Sequence, residues 1–177
     1  MGYRKLTIKY VHDMIELAGF QLKGLEMLEL GNQLIWDKDG YQGFFVAKDY
    51  FESFGVHHES IDRNGKNGSL PLDLNKKINL DGDGFDVVTN MGTSEHVKNN
   101  KSCFDNIHNL CKVGGIMIHL VPHKGSGHGI RQYTLKFFED LVDKRKYEIL
   151  HLERNGKYEW KETENRRYCT VRKNNGN

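Results

Sequence analysis

The sequence predicts an α/β fold, a doubly wound and mainly parallel sheet with an antiparallel edge strand. Three observations point there. Short strand-like apolar runs alternate along the chain with stretches of helical periodicity, the pattern of helices covering a mainly parallel sheet. Several of those runs stop abruptly at Gly31, Asp62 or Asn90, residues suited to tight turns at strand ends. Two late segments, 147–152 and 167–171, alternate in the manner of an antiparallel pair.

Taken in order, residues 1–24 form an N-terminal helical segment, and 25–30 (Leu-Glu-Met-Leu-Glu-Leu) the first strand, ended by Gly31. Over 41–54 the apolar residues Phe44, Phe45, Ala47, Phe51 and Phe54 recur at near-helical spacing, and Gly55 can end that helix. The second strand is 56–61, with Asp62 at its carboxyl end. A Gly/Asn-rich loop covers 62–69, and 71–74 is expected as a short third strand, since Pro71 is tolerated at a strand start. Asp81-Gly82-Asp83-Gly84 is a turn that resembles a calcium loop only superficially, because Phe85 and Asp86 stand where a ligand and a glycine are needed. Residues 85–90 form the fourth strand, 95–111 a helix, and Val113-Gly114-Gly115 a turn into the very apolar fifth strand 116–121. A helix over 134–142 presents Leu135, Phe137, Phe138 and Leu141, the late pair follows, and 173–177 is a frayed tail.

A chain of 177 residues is one domain by the usual prior, so 25–172 is expected to be a single sheet domain. With 26 Lys and Arg against 24 Asp and Glu, the net charge of +2 is too small to constitute a nucleic-acid footprint. The 3 cysteines are odd in number and form no C-x-x-C pair, which argues for reduced thiols rather than a disulfide framework or a Cys-based zinc site. The longest apolar runs, 43–47 and 114–118, fall far short of the roughly 20 residues a membrane span needs. The first residues carry Arg4, Lys5 and Lys9 without an apolar secretory core, so a cytoplasmic chain is expected.

In an open α/β sheet, ligands bind outside the carboxyl ends of the strands, near the point where strand order reverses. That rule selects 29–33, 62–63, 72–75 and 90–96. Gly31 lets the backbone turn tightly and a ligand approach closely. A carboxylate at Asp62 is placed to accept hydrogen bonds from two ribose hydroxyls. A turn-starting role for Asp62 before Arg63-Asn64-Gly65 is the plainer alternative.

The succession L-E-L-G-N (28–32), S-I-D-R (60–63), P-L-D-L (71–74), F-D-V-V-T-N (85–90), S-E-H-V (94–97) and V-G-G-I-M-I (113–118) resembles the class I S-adenosylmethionine-dependent methyltransferases over residues 25–172. The E-H-V element is particularly similar to the small-molecule methyltransferases among them, of the type-11 kind. The resemblance implies a Rossmann-like sheet, S-adenosylmethionine as cofactor and a small-molecule or saccharide-type acceptor. It implies that Glu29, Gly31 and Asn32 contact the methionine part of the cofactor, and that Asp62 and Arg63 lie at the ribose. By the same resemblance Leu72 and Asp73 flank the adenine, and Asn90, Met91 and Gly92 form the loop facing the reactive methyl. His96 matches the histidine that opens the following helix. The first motif departs from the family, whose G-x-G-x-G run is replaced by Gly31 followed by Asn32, Gln33 and Leu34. That departure supports an alternative, a module that binds S-adenosylmethionine or S-adenosylhomocysteine without turnover.

Methyl transfer is an in-line displacement, so the protein mainly aligns the reactants, and a histidine can take a proton from a hydroxyl or amine acceptor. His96, His123 and His128 are the histidines a parallel sheet brings to the carboxyl-end rim, and they are the candidate catalytic residues. No metal is expected. His119 sits inside an apolar strand and reads as a satisfied core residue, while neighbouring His57 and His58 point to opposite faces of theirs. Arg131 and Tyr133 suit either an acceptor contact or ordinary packing. A nicotinamide-dependent reductase is disfavoured, since no G-x-G-x-x-G run is present and no Tyr is followed four residues on by Lys. Residues 90–92 lack the Pro-Pro-Tyr/Phe type of motif expected for a nucleic-acid acceptor. Recognition of the acceptor is expected from 12–20, 32–43 or 122–133, or from a second copy of the chain in a homo-oligomer.

Overall fold

The computed structural model describes residues 2–37, 40–123, 126–154 and 166–174. Six strands form one sheet: β1 (Glu26–Leu30), β2 (His57–Ile61), β3 (Phe85–Met91), β4 (Cys111–Pro122), β5 (Glu148–Arg154) and β6 (Arg166–Arg172). Their spatial order is β2-β1-β3-β4-β6-β5, with β2, β1, β3 and β4 parallel and β6 antiparallel to both of its neighbours. The reversed strand is therefore next to the edge, and β5 occupies the edge itself. The chain leaves β1 toward β2 on one side and returns to place β3 on the other, so strand order reverses between β1 and β3. There Leu30 is in register with Asn90.

Alternate residues of each strand feed two cores, as the two-residue period of a pleated strand requires. Met27, Val87, Met91, Ile116, Ile118 and Leu120 meet helices α1 (Lys5–Leu17) and α2 (Ala47–Glu52). Leu28, Leu30, Val88, Met117, Val121, Cys169 and Val171 meet α3 (Asn100–Leu110) and α4 (Leu135–Arg145). In α1 the buried residues Ile8, Val11, Met14 and Ile15 lie on one stripe, and Tyr10 is fixed by a 2.7 Å hydrogen bond between its hydroxyl and Thr170 Oγ1. The N-terminal helix is thus packed into the sheet's core. No described helix is long and apolar enough to cross a membrane.

Four expected elements differ. The helix expected over 41–54 is confined to Ala47–Glu52. Upstream, Gly40 and Gly43 take positive φ (68° and 84°), and Tyr41 bridges back to Phe44 while Leu34 bridges Val46. Aromatic residues there serve a folded loop, not a helix face. No strand forms at 71–74; only Leu70 bridges Ile61, and Pro71 has no N–H with which to extend the ladder. The helix expected to begin at Glu95 begins at Asn100, because Ser94–His96 makes a single 3-10 turn and Val97 is extended (φ −89°, ψ 119°). Asn99 then caps α3, its side chain accepting from Ser102 N at 3.1 Å. The turn at 113–115 is absorbed into β4 as an irregularity of the β3–β4 register. Residues 175–177 of the expected tail lie outside the described residues.

Candidate active site

The carboxyl ends of β1, β2 and β3 open onto a cavity of about 380 Å3, a size typical of small-molecule sites. Gly31, Asn32, Asp62, Arg63, Leu72, Asp73, Gly92 and His96 line it, all of them expected at the site from the sequence. Gly31 and Gly92 sit at adjacent strand ends with φ of 84° and 76°, conformations that strain any residue with a side chain. Gly31 N donates to Ile61 O at 2.8 Å, tying the β1 end to β2.

Asp62 holds the two ends together. Its Oδ2 accepts from Asn32 N at 3.0 Å and its Oδ1 from Asn64 N at 2.9 Å, so the turn-forming role and the rim position coexist. Each carboxylate oxygen keeps a further lone pair for a ligand hydroxyl. Asp73 closes an Asx turn, accepting from both the backbone N and the side-chain Nδ2 of Asn75, and these bonds hold its carboxyl below the ordinary range. Ile61, Leu72, Leu74 and Val97 add apolar wall between the two acids.

Other expected residues support the cavity from below without lining it. Glu29 is buried; its Oε2 accepts from Gln33 N at 3.1 Å, and its Oε1 has no hydrogen-bond partner among the described residues, although His58 Nε2 stands 3.7 Å away. Met91 belongs to the core on the α1 face. Asn90 is fully buried, donating to Ser94 Oγ (2.9 Å) and to His119 Nδ1 (3.2 Å) and accepting from Ser94 N (3.0 Å). Tyr133 completes this network, its single hydroxyl proton going to Asn100 Oδ1 (2.8 Å) while its oxygen can accept from the Ser94 hydroxyl (2.9 Å). Tyr133 is therefore a packing residue. His119 is the satisfied core histidine the sequence suggested, and burial pushes its pKa down to about 3.

The three candidate catalytic histidines separate. His96 lines the cavity; burial lowers its pKa, and nearby His128 adds to the effect. His128 lies outside the cavity but against His96, ring centroids 5.2 Å apart and nearly perpendicular. His123 is buried and bridges Tyr133 through the backbone, away from the cavity lining. Arg131 donates to Lys98 O at 2.8 Å, a loop-to-loop contact.

Gln33, Thr93 and Asn75 also line the cavity; they fall inside the segments 29–33, 90–96 and 72–75 selected from the sequence, but no individual role was expected of them. Gln33 carries the departure from the family's glycine run. Its Nε2 donates to Thr93 Oγ1 (2.9 Å) and Leu30 O (3.0 Å), laying the side chain across Gly31, where an added Cβ would lie 2.6 Å from that nitrogen. Its Oε1 is buried with no partner among the described residues. That atom is an acceptor suited to the N–H groups of a ligand's amino-acid end.

Neither a family model nor a curated protein sequence matches the chain. Its fold is matched by solved structures. A sarcosine dimethylglycine methyltransferase assignment from Galdieria sulphuraria superposes with TM-score 0.65 at 13% identity, covering 95% of this chain and 84% of that one. The 1,6-didemethyltoxoflavin-N1-methyltransferase of Burkholderia thailandensis, solved with 1,6-didemethyltoxoflavin and S-adenosylhomocysteine, gives 0.61 at 15% identity, covering 96% and 76%. The [4+2]-cyclase SpnF gives 0.63 at 14%, covering 95% and 81%. The chain has the class I methyltransferase fold.

Proposed function

We propose that this chain is an S-adenosylmethionine-dependent methyltransferase acting on a small-molecule or saccharide-type oxygen or nitrogen acceptor. The observation that carries the reading is the cavity at the switch point, where Gly31, Asp62 and Gly92 converge from separate strand ends and Asp73 joins them from the loop after Leu70. Fold likeness alone would not carry it, since a cyclase shares the fold.

The residues present fit the cofactor. Asp62 would hold the ribose hydroxyls; Ile61, Leu72 and Val97 offer apolar surface for the adenine, with Asp73 at its edge. Gln33, on the cavity lining, offers its Oε1 as an acceptor for the amino-acid end. When bound, the cofactor supplies an electrophilic methyl on sulfur. The chain's own contribution is alignment and exclusion of water, which in such displacements supplies much of the rate. Gly92 and Thr93, held by the Asn90–Ser94 bonds, form the wall beside which the acceptor approaches. Of the three histidines, His96 is assigned to the acceptor side.

The Gln33–Thr93 bridge over Gly31 favours a second reading, a module that binds the cofactor without turnover. Incubation with S-adenosylmethionine carrying a labelled methyl, against a panel of hydroxyl and amine acceptors, separates the two. The enzyme reading expects label in an acceptor and its loss in His96→Ala with cofactor affinity retained. Saturable cofactor binding with no transfer across the panel supports the module instead.

A further inference from the structure

Beside the cavity, the 3-10 turn Ser94–His96 and the loop through His128 bring three ligating atoms together. Glu95 Oε1 is 3.9 Å from His96 Nε2 and 3.8 Å from His128 Nε2, and all three atoms lie within 4.8 Å of one another. The carboxylate is fully buried, whereas both imidazoles are about half exposed (52% and 48%). A buried acid on a fixed backbone with two reachable imidazoles above it is a donor set open to solvent on one side.

The backbone holds this set in place. Ile130 N and Arg131 N both donate to Glu95 O, at 2.9 and 3.1 Å. Gly129, at φ 74°, lies so close to Glu95 that an added Cβ would meet its Cγ at 2.6 Å and its Cβ at 2.8 Å. The close approach of the 126–131 loop to the turn thus depends on a residue without a side chain. Asn90 fixes the turn from the other side through Ser94 N and Oγ. Such support is what keeps ligand geometry from loosening.

We propose that Glu95, His96 and His128 bind one divalent first-row transition ion of the zinc class at the rim of the cavity. Imidazole nitrogen with one carboxylate oxygen suits these ions, whereas magnesium and calcium prefer all-oxygen sets. Ligand bonds of about 2.0–2.2 Å place two donors on one ion about 3–4 Å apart, so the observed separations close with small side-chain rotations. Three protein ligands leave at least one position for water or another oxygen, and His96 connects the set to the cavity. The site shares His96 with the proposed acceptor side, but ion binding is argued from the three side chains alone and is read without methyl transfer.

The test is calorimetric titration of Zn2+ into the chelator-stripped full chain, with Co2+ absorption reporting the ligand field. One ion per chain is expected, with Kd in the micromolar range or tighter. His128→Ala, a half-exposed position that folding should tolerate, is expected to weaken it about tenfold or more, at least what loss of an outer-shell partner costs. Glu95→Gln should do the same, and His57→Ala, at an exposed histidine elsewhere, should not. Absence of saturable binding to the wild-type chain overturns the proposal. So does binding that His128→Ala and His96→Ala leave unchanged, which would locate the ion at other histidines.

Discussion

Asp62 joins β1 to β2 by accepting from Asn32 N and Asn64 N, and it faces the cavity at the same time. Charge-assisted hydrogen bonds contribute about 1.5–3 kcal/mol each, so Asp62→Ala is expected to weaken S-adenosylmethionine binding about tenfold to a hundredfold in a titration. His119 makes a different prediction. Its folded pKa of about 3 lies below the ordinary 6.5, so the unfolded chain takes up its proton first as pH falls. Neutral His119 therefore contributes stability that is complete above about pH 6.5 and is lost progressively as pH falls toward 3. Urea unfolding between pH 4 and 6 should show His119→Gln with a pH slope shallower by about 1.4 kcal/mol per unit. An unchanged slope would mean that His119 does not titrate this way. The sequence located His119 correctly as a core residue because it interrupts an apolar strand. It could not show that Asn90, expected at the cofactor, would turn inward to pair with it. That choice follows from the register of β3 with β4, which places Asn90 opposite His119.

Among the elements, β1, β3 and β4 were legible from their apolar residues, and β2, mostly polar as His57–Ile61, from its place between Gly55 and Asp62. The helices were less so. Aromatic spacing over 41–54 mimicked a helix, yet Gly40 and Gly43 turn the backbone before Ala47. Ser94-Glu95-His96 read as a helix start, yet the Asn99 cap places the start of α3 later. The signal for that boundary was present in Asn99, whose side chain reaches Ser102 N. Helix α1 carries a stability prediction: Ile8 is 1% exposed in the core against the sheet, so Ile8→Ala should cost about 2–5 kcal/mol in equilibrium unfolding. The turn after β3 carries another. Asn90→Ala leaves Ser94 and His119 with buried unpaired groups, a cost of about 1–3 kcal/mol, and releases Gly92 and Thr93 from the cavity wall. Reduced cofactor affinity should accompany the lower stability, and stability lost with affinity intact would separate the network from the site.

For the whole molecule, the order β2-β1-β3-β4-β6-β5 puts the reversal of strand order between β1 and β3, and the cavity lies over that point. Most of the cavity lining was legible as four segments, three of them at strand ends that topology alone brings together and the fourth, 72–75, in a loop rather than the expected strand. The contact between Gln33 and Thr93 was not, since their mutual hydrogen bond spans sixty positions and only the closed sheet brings them together. The same closeness leaves a narrow passage over Gly31, which makes cofactor binding the central issue. A ligand that binds only the folded chain stabilises it by about 2.7 kcal/mol at a hundredfold excess over Kd, so a raised melting temperature should accompany binding. The most direct measurement is calorimetric titration of S-adenosylhomocysteine into the wild-type chain and Asp62→Ala. One site per chain in the wild type, markedly weakened in the variant, is the expected result. No detectable heat or thermal shift in the wild type, with either S-adenosylhomocysteine or S-adenosylmethionine, would contradict the assignment of this cavity.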